Sequence, residues 1–164
     1  MLITDIHVRR LRIVSSGPFD EVVRKLTATI GHPDMSAFHG AVTAARTVAD
    51  LEELVQRAVG SSELMEFARF DAGEVLRKGQ GGHGAKILLF LIGNPMIMKE
   101  MATSVPEAAA YAPVTILVVE RADGVHLSYD SMASLLAPYE SEAALAVART
   151  LDSKVQRLLE TAAT

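Results

Sequence analysis

Residues 86–95 read KILLFLIGNP: a lysine, six apolar residues in a row, and then a glycine, an asparagine and a proline. A run this short and this apolar, between a glycine-rich stretch and a turn sequence, is typical of a strand that is buried on both faces. We therefore predict that Ile87–Ile92 is an inner strand of a sheet, covered by helices or by a second subunit.

The remaining sequence predicts further strands and a set of amphipathic helices. Apolar residues alternate with polar ones in some stretches and recur at helical spacing in others. Asp123-Gly124 lies between two strand-like stretches and indicates a β-hairpin, which requires an antiparallel pair. The predicted fold class is α+β: a two-layer sandwich in which a mixed or antiparallel sheet of about five strands packs against helices. The other predicted strands are residues 3–14, 64–70, 114–120 and 125–130.

Length and composition favour one domain and an oligomer. The chain has 164 residues, enough for one domain with its own core, and we predict a single domain over residues 1–164. Apolar residues make up 49% of the sequence although aromatic residues make up only 5%, and the mean hydropathy is +0.24. So many apolar residues require either a large core or a surface that another subunit covers. We predict a homodimer.

Several classes of protein are disfavoured by the charge and by the residue types that are missing. The net charge is −4 and no basic patch interleaves with aromatic residues, which disfavours nucleic-acid binding. The chain has no cysteine, so disulfides and thiolate metal sites are excluded. No apolar run approaches the ~20 residues that span a bilayer, and the first residues lack the pattern of a signal peptide. We predict a cytoplasmic protein without a membrane span.

Short motifs occur along the chain in an order that can be compared with known families. They include Phe67–Asp71, Gly93-Asn94-Pro95 at the end of the apolar strand, and Ala112-Pro113 before a second apolar strand. Further positions are Phe19, Asp20, Glu21, Leu26, Pro106, Asp123, Gly124, Ser128, Tyr129 and Leu135. This ordered set resembles the family known as domain of unknown function 302. The resemblance implies a compact α+β domain, commonly a dimer, without an assigned activity. It leaves out residues 32–62, which we interpret as a helical insertion.

The sequence departs from the family pattern in three places. Ala72 stands where the family usually has a histidine, after the residue that corresponds to Asp71. Residues 96–99 read Met-Ile-Met-Lys where Gly-Thr is common, and residues 110–113 read Ala-Tyr-Ala-Pro where Leu-Asp-Leu-Pro is common. A chemical role of that histidine in relatives would therefore not carry over to this chain.

Asn94 and Asp71 are the two main candidate site residues, and each has a structural alternative. Asn94 lies where the apolar strand meets a helix, so it can bind a ligand beside free helix N–H groups or cap that helix. Asp71 can act as a general base or ligand contact, or it can cap a short helix that begins at Ala72. The structural interpretation is the simpler one for both residues.

Three further residues are candidates for ligand binding. His83 lies in the glycine-rich loop of residues 79–84, where it can ligate a metal or haem or simply be solvated. Met96 begins a methionine-rich segment that can line an adaptable apolar pocket or pack in the core. Tyr129 can offer a polar group, although strand alternation places it on the inner face. No histidine spacing indicates a metal site.

Three hypotheses follow for the function, in this order. The first is a homodimeric binding or interaction module that holds a small apolar or amphipathic ligand near Asn94 and Met96. The second is an enzyme of unknown reaction that uses Asp71 and Asn94 with His83 or Tyr129, whose groups must then converge within ~3–4 Å of one point. The third is a purely structural oligomer with a large interface. The sequence does not identify a ligand or a cofactor.

Overall fold

The computed structural model describes residue 1 and residues 3–164. Its strands are β1 Arg10–Ser15, β2 Met65–Asp71, β3 Ile87–Gly93, β4 Val114–Arg121 and β5 Gly124–Asp130. They form one sheet in the order β1-β5-β4-β3-β2, and every neighbouring pair is antiparallel. The predicted α+β class is confirmed, and the sheet is antiparallel rather than mixed.

Seven α-helices lie between and after these strands in the described part of the chain. They are α1 Phe19–Thr27, α2 Met35–Ala44, α3 Val48–Ala58, α4 Ala72–Gly79, α5 Pro95–Ser104, α6 Met132–Leu136 and α7 Glu142–Ala163. Short 3-10 turns follow α5 and α6, at Pro106–Ala110 and Ala137–Tyr139. Met35, Phe38 and Val42 recur at helical spacing in α2, but the small residues between them make this pattern weak.

Local sequence explains where several helices begin. The Oδ1 atom of Asp71 accepts a hydrogen bond from the N–H of Glu74 in the first turn of α4, at 2.9 Å. Asn94 caps α5 in a similar way, since its Oδ1 atom accepts from the N–H of Met96 at 2.8 Å. Side-chain oxygens at these positions satisfy N–H groups that have no partner inside the helix. The interpretation of Asp71 and Asn94 as helix caps is confirmed.

The predicted inner strand is β3, which pairs with β2 on one side and with β4 on the other. Phe90 and Ile92 point toward the helices and are fully buried. Leu89 and Leu91 point to the opposite face and are only half-buried. The prediction of an inner strand is confirmed. The prediction that both of its faces are buried is wrong. Among the described residues, the helices that form the main core cover only the first face.

The first strand is shorter than its sequence predicts. Residues 3–14 have the alternation of a strand, yet β1 begins only at Arg10. Arg10 pairs with Asp130, the last residue of β5, and their side chains form hydrogen bonds of 2.6 and 2.7 Å. Beyond Asp130 the chain turns into α6, so none of the described residues before Arg10 has a neighbouring strand to pair with.

Helices α2 and α3 carry a small apolar cluster of their own. Phe38 of α2 and Val55 of α3 pack with Met65 of β2, apart from the main core. A reciprocal pair of hydrogen bonds starts α3: Thr47 Oγ1 accepts from the N–H of Asp50, and Asp50 Oδ2 accepts from the N–H of Thr47. Helices α2 and α3 thus make up most of the segment of residues 32–62.

The helices and the sheet form two layers. Helices α1, α5, α6 and α7 share one apolar core with one face of the sheet. Phe90, Ile116 and Leu127, from the three inner strands, have no exposed surface there. The opposite face carries apolar side chains that belong to neither apolar cluster of the described residues.

Candidate functional site

A groove lies between α3, α5 and α7, with a volume of about 550 Å³. Two of the five predicted site residues, Asn94 and Met96, line it. The remaining lining residues belong to the facing sides of the three helices and to the loop that follows α3. Because helices present residues three or four apart on one side, each helix contributes a short stripe to the groove.

The floor of the groove is apolar. Val55 contributes from α3, Val59 from just after that helix, Met96 and Ile97 from α5, and Val147 from α7. Val55 is buried and the other four side chains are half-buried. An unbranched methionine side chain can adjust its shape to an incoming apolar group. The floor can therefore accept an apolar body of variable outline.

Charged side chains stand at the rim of the groove. Glu63 and Lys154 form an ion pair at one end, and the hydrogen bond and charge of Lys154 lower the pKa of Glu63. Glu52 and Glu100 also line the groove and are exposed, and neither forms a salt bridge among the described residues. The uncompensated charge at the rim is therefore negative.

Asn94 lies where the groove meets the first turn of α5. Its Oδ1 atom accepts from Met96, and its Nδ2 atom donates to the carbonyl oxygen of Glu63 at 2.9 Å. The side chain thus holds the loop after α3 against the start of α5. Asn94 shapes the wall of the groove, and a direct contact with a ligand stays a prediction.

A second, smaller cavity of about 100 Å³ also borders the first turn of α5. It shares Asn94 and Ile97 with the groove, and Met98 and Met101 line it from α5. Phe67 of β2 adds an apolar wall. The segment from Met96 to Met101 therefore borders two adjacent cavities, both with apolar linings.

Asp71 lies at the opposite end of β3 from Asn94. Asp71 is in register with Leu88, near the start of β3, whereas Asn94 follows the last residue of that strand. About six strand residues separate the two positions, which is about 20 Å. Asp71 accepts a hydrogen bond from Arg77 Nη2 at 2.7 Å, and this bond lowers the pKa of Asp71. Asp71 is thus engaged in holding α4.

Tyr129 is buried, as strand alternation predicts, and its hydroxyl binds Asp152 of α7. Its hydroxyl donates to Asp152 Oδ1 at 2.7 Å, and the Ser131 hydroxyl donates to Asp152 Oδ2 at 2.6 Å. The N–H groups of Met132 and Ala133 donate to the same carboxylate, at 2.7 and 3.2 Å. Burial, with the adjacent Asp152 charge, raises the pKa of Tyr129.

The position of Asp152 could have been found from helical spacing. It follows Ala148 by four residues and precedes Leu159 by seven, and both of those residues are buried. This spacing places Asp152 at the border of the buried stripe, where its side chain is half-buried. The groove gave no comparable sign, since its three helices are far apart in the sequence.

His83 lies in the exposed loop after α4, where its Nδ1 atom is 3.3 Å from the carbonyl oxygen of Gly81. Among the described residues, no group of three or more His, Asp or Glu side chains is arranged to hold a metal ion. In the same part of the chain, no helix combines the length and the apolar character needed to cross a membrane.

The structure thus brings together two of the five predicted site residues and separates the other three. Asn94 and Met96 share the groove. Asp71 lies at the far end of β3, His83 lies in the loop before β3, and the hydroxyl of Tyr129 is engaged beneath α6 and α7. The convergence that an enzyme using Asp71 and Asn94 would require is not present.

Comparisons with known proteins agree with this fold. A family model described as domain of unknown function DUF302 matches residues 40–162, which is more than half of the chain. The chain belongs to the DUF302 family. The resemblance inferred from the sequence is therefore confirmed. The DUF302 match begins inside α2 and so includes part of the segment of residues 32–62, and the status of that segment as an insertion stays a prediction.

A solved DUF302 structure has the same fold. It is the crystal structure of an uncharacterized conserved DUF302 protein from Bacillus stearothermophilus, similar with a TM-score of 0.65 and 10% sequence identity. The similarity covers 93% of this chain and 97% of that chain. At this identity the likeness shows the fold alone. A search of the curated proteins finds no match to this chain.

Proposed function

We propose that this chain is a homodimeric binding module that holds a small amphipathic ligand in the groove between α3, α5 and α7. The observation that carries the proposal is the combination of an apolar floor with an acidic rim in one groove. An apolar body would lie on Val55, Met96 and Ile97, and a positively charged head group would face Glu52 and Glu100.

The size and lining of the groove support this proposal. Its volume of about 550 Å³ lies within the ~300–1,000 Å³ of small-molecule sites, which are mostly apolar with a few polar groups. Burying apolar surface contributes ~25 cal/mol per Å², so the floor supplies the larger share of the affinity. The exposed rim carboxylates contribute less, because solvent screens them, and they favour cations over anions.

The absence of convergent chemistry among the predicted site residues favours binding over catalysis. Asp71 is tied to Arg77, and the Tyr129 hydroxyl is tied to Asp152. Neither group faces the groove in which Asn94 and Met96 lie. A catalytic acid or base must lie within hydrogen-bond reach of the reacting group, directly or through one water.

The test is a thermal-shift measurement with amphiphiles of equal chain length and different head groups: octylamine, octanol and octanoate. We expect octylamine to raise the melting temperature most, because it matches both the floor and the rim. At ten times Kd the stabilisation is about 1.4 kcal/mol, which for a chain of this size is about 3–6 °C.

A matched pair of variants locates the effect. Thr150 lines the groove and Thr103 does not, although both are exposed and both donate from Oγ1 to the carbonyl four residues earlier. We expect Thr150→Trp to fill the groove and abolish the shift, and Thr103→Trp to retain it. Equal shifts in the two variants, or a flat melting temperature with all three amphiphiles, would contradict the proposal. A preference for octanoate would refute the cationic head group.

A further inference from the structure

The face of the sheet opposite the helices, here called the outer face, is apolar along β3 and mixed on its other strands, where Arg12, His126 and Ser128 also lie on it. Leu89, Leu91 and Leu117 line a depression of about 520 Å³ on it. Arg10 and Asp130 line the same depression at the corner where β1 begins. Strand register places four more apolar side chains on this face. They are Val14, Phe70, Ile87 and Val119.

Two of the nine exposed large apolar side chains of the described residues lie on this outer face. Among the described residues, Val14 is 48% exposed in β1 and Phe70 is 52% exposed in β2. Only Val42 and Val48 of the exposed large apolar side chains lie on α2 and α3. The others are in α4 and before β1: Val75, Leu76, Met1, Ile3 and Val8. Val14 and Phe70, together with the half-buried leucines of the depression, form an apolar area of the kind that another molecule covers.

Residues 1–9 are here called the arm, and its described residues leave the sheet at the corner of this depression. Apolar and polar residues alternate from Ile6 to Arg9 as they do in a strand, but the described residues of the arm lie outside every helix and strand. The arm is fixed at Arg9, whose N–H donates to Ser134 Oγ at 3.0 Å and whose carbonyl accepts from the N–H of Ser131 at 2.9 Å. The described part of this strand-like sequence thus has no strand partner in its own subunit.

We infer that the outer face is the interface with a second copy of this chain, and that the arm extends onto that copy. The inference rests on the homodimer of the proposed function and names the surfaces that form it. A symmetric pair covers both outer faces at once and gives both arms a neighbour. It also accounts for the high apolar content of a chain with few aromatic residues.

The area of the outer face explains why the arm is needed. Five strands about 4.8 Å apart and about 20 Å long present on the order of 500 Å². A stable interface buries about 800 Å² on each partner, so the sheet alone falls short. The arm, at ~3.3 Å per residue, reaches about 30 Å beyond the corner at Arg10 and can supply the difference.

Sedimentation equilibrium of matched variants tests the inference. Val14 lies on the outer face and Val42 lies on α2, and both are exposed valines. We expect Val14→Lys to raise the dimer Kd at least tenfold, because it places a charge in an apolar interface, whereas Val42→Lys leaves the Kd unchanged. Deletion of residues 2–8 should also weaken the dimer at least tenfold. Circular dichroism spectra establish that each variant is folded.

Cross-linking gives a second measurement that does not depend on a disruptive variant. The chain has no cysteine, so a single introduced thiol is unique in each subunit. Thr115→Cys places it on the outer face beside Leu91, and Thr43→Cys places it on α2. Stacked sheets lie about 10 Å apart, so a bismaleimide should join two Thr115→Cys subunits and leave Thr43→Cys subunits single.

The outcomes separate this inference from the proposed function. A wild-type dimer that tolerates Val14→Lys as well as Val42→Lys, or that cross-links at position 43 and not at position 115, overturns the outer-face interface alone. A wild-type chain that stays monomeric at high micromolar concentration overturns the homodimer as well. Binding of octylamine in the groove is measured separately, and its result does not depend on which surface forms the dimer.

Discussion

Asp152 receives four hydrogen bonds, two from hydroxyl groups and two from backbone N–H groups. The donors lie at the end of β5 and at the start of α6, so one carboxylate on α7 joins three elements. Hydrogen bonds to an ionised group are about twice as strong as neutral ones. The side chain is half-buried, and each of its donors would lose its partner if the carboxylate were replaced.

Replacing Asp152 by asparagine should lower the free energy of unfolding by about 2–3 kcal/mol, because the amide nitrogen cannot accept these hydrogen bonds. Tyr129→Phe should cost less, about 1 kcal/mol, since the N–H of Met132 still reaches Asp152. Urea denaturation measures both. Glu160→Gln, another change from acid to amide on α7, is the control and should have little effect. Equal losses for Asp152→Asn and Glu160→Gln would contradict this role.

Individual residues could be predicted where their partners are local. Asp71 and Asn94 cap helices whose N–H donors lie two or three positions ahead, and turn chemistry alone indicates this role. Asp152 bonds to Tyr129, 23 positions away, so its partner depends on how α7 packs against β5. The groove could not be predicted for the same reason, because its walls come together only after α3, α5 and α7 have packed.

Strands could be predicted where the apolar pattern is strong and where a neighbouring strand is present to pair with. The apolar run of β3 and the Asp123-Gly124 hairpin predict their strands correctly. The start of β1 was not predictable, because it depends on where β5 stops and not on the sequence before Arg10. Propensity permits a strand in residues 3–9, but hydrogen bonding to a neighbour is required to form one.

Two glycines allow the end of α1 and the end of α3 to touch. A Cβ atom on Gly31 would lie 2.0 Å from the carbonyl oxygen of Ala58, and one on Gly60 would lie 2.1 Å from the carbonyl oxygen of Thr29. The N–H groups of both glycines donate to the carbonyl of Leu64, at 2.9 and 3.0 Å. Since backbone atoms fill the space, a larger residue cannot be accommodated by moving a side chain.

Gly60→Ala should therefore lower the free energy of unfolding by about 1–3 kcal/mol, as overpacking does elsewhere. Gly40→Ala, in the middle of α2 with no atom within 4 Å of a new Cβ, should instead raise it by about 0.5–1 kcal/mol. Thermal and urea unfolding distinguish the two. If both substitutions shift stability in the same direction, the close approach at Gly60 does not constrain the fold.

At the scale of the molecule, several carboxylates make stability sensitive to acid. Hydrogen bonds or ion pairs lower the pKa below the ordinary value of 3.8 for four of them and of 4.5 for Glu63. The four are Asp50, Asp71, Asp123 and Asp130. The unfolded chain then binds protons at a higher pH than the folded chain does.

The contribution of these groups is fully present above their ordinary pKa values and is lost as the pH falls through the lowered ones. We expect the free energy of unfolding to decline steadily below about pH 4. Asp71→Asn should be less stable than the wild type at pH 7, and the difference should shrink as the pH falls toward 2, since protonated Asp71 no longer attracts Arg77. Urea titrations across this range measure the difference. A constant gap between the two proteins would contradict it.

The strand order itself lay beyond prediction from one sequence. Hairpin chemistry gives the β4–β5 pair, but the β1–β5 pair joins Arg10 and Asp130, which are 120 positions apart. Local pattern carries no information about such a pair. The fold class could be predicted because it depends on the types of the elements, whereas their arrangement depends on how they pack.

That distant pairing has a consequence for how the protein is made on the ribosome. Synthesis proceeds at about 5–20 residues per second, so the first strand emerges about 6–24 s before the one it must join. During that interval Phe19, Val22 and Leu26 of the adjoining helix have no α7 to lie against. The nascent polypeptide would thus be a substrate for chaperones that shield exposed apolar segments until translation is nearly complete.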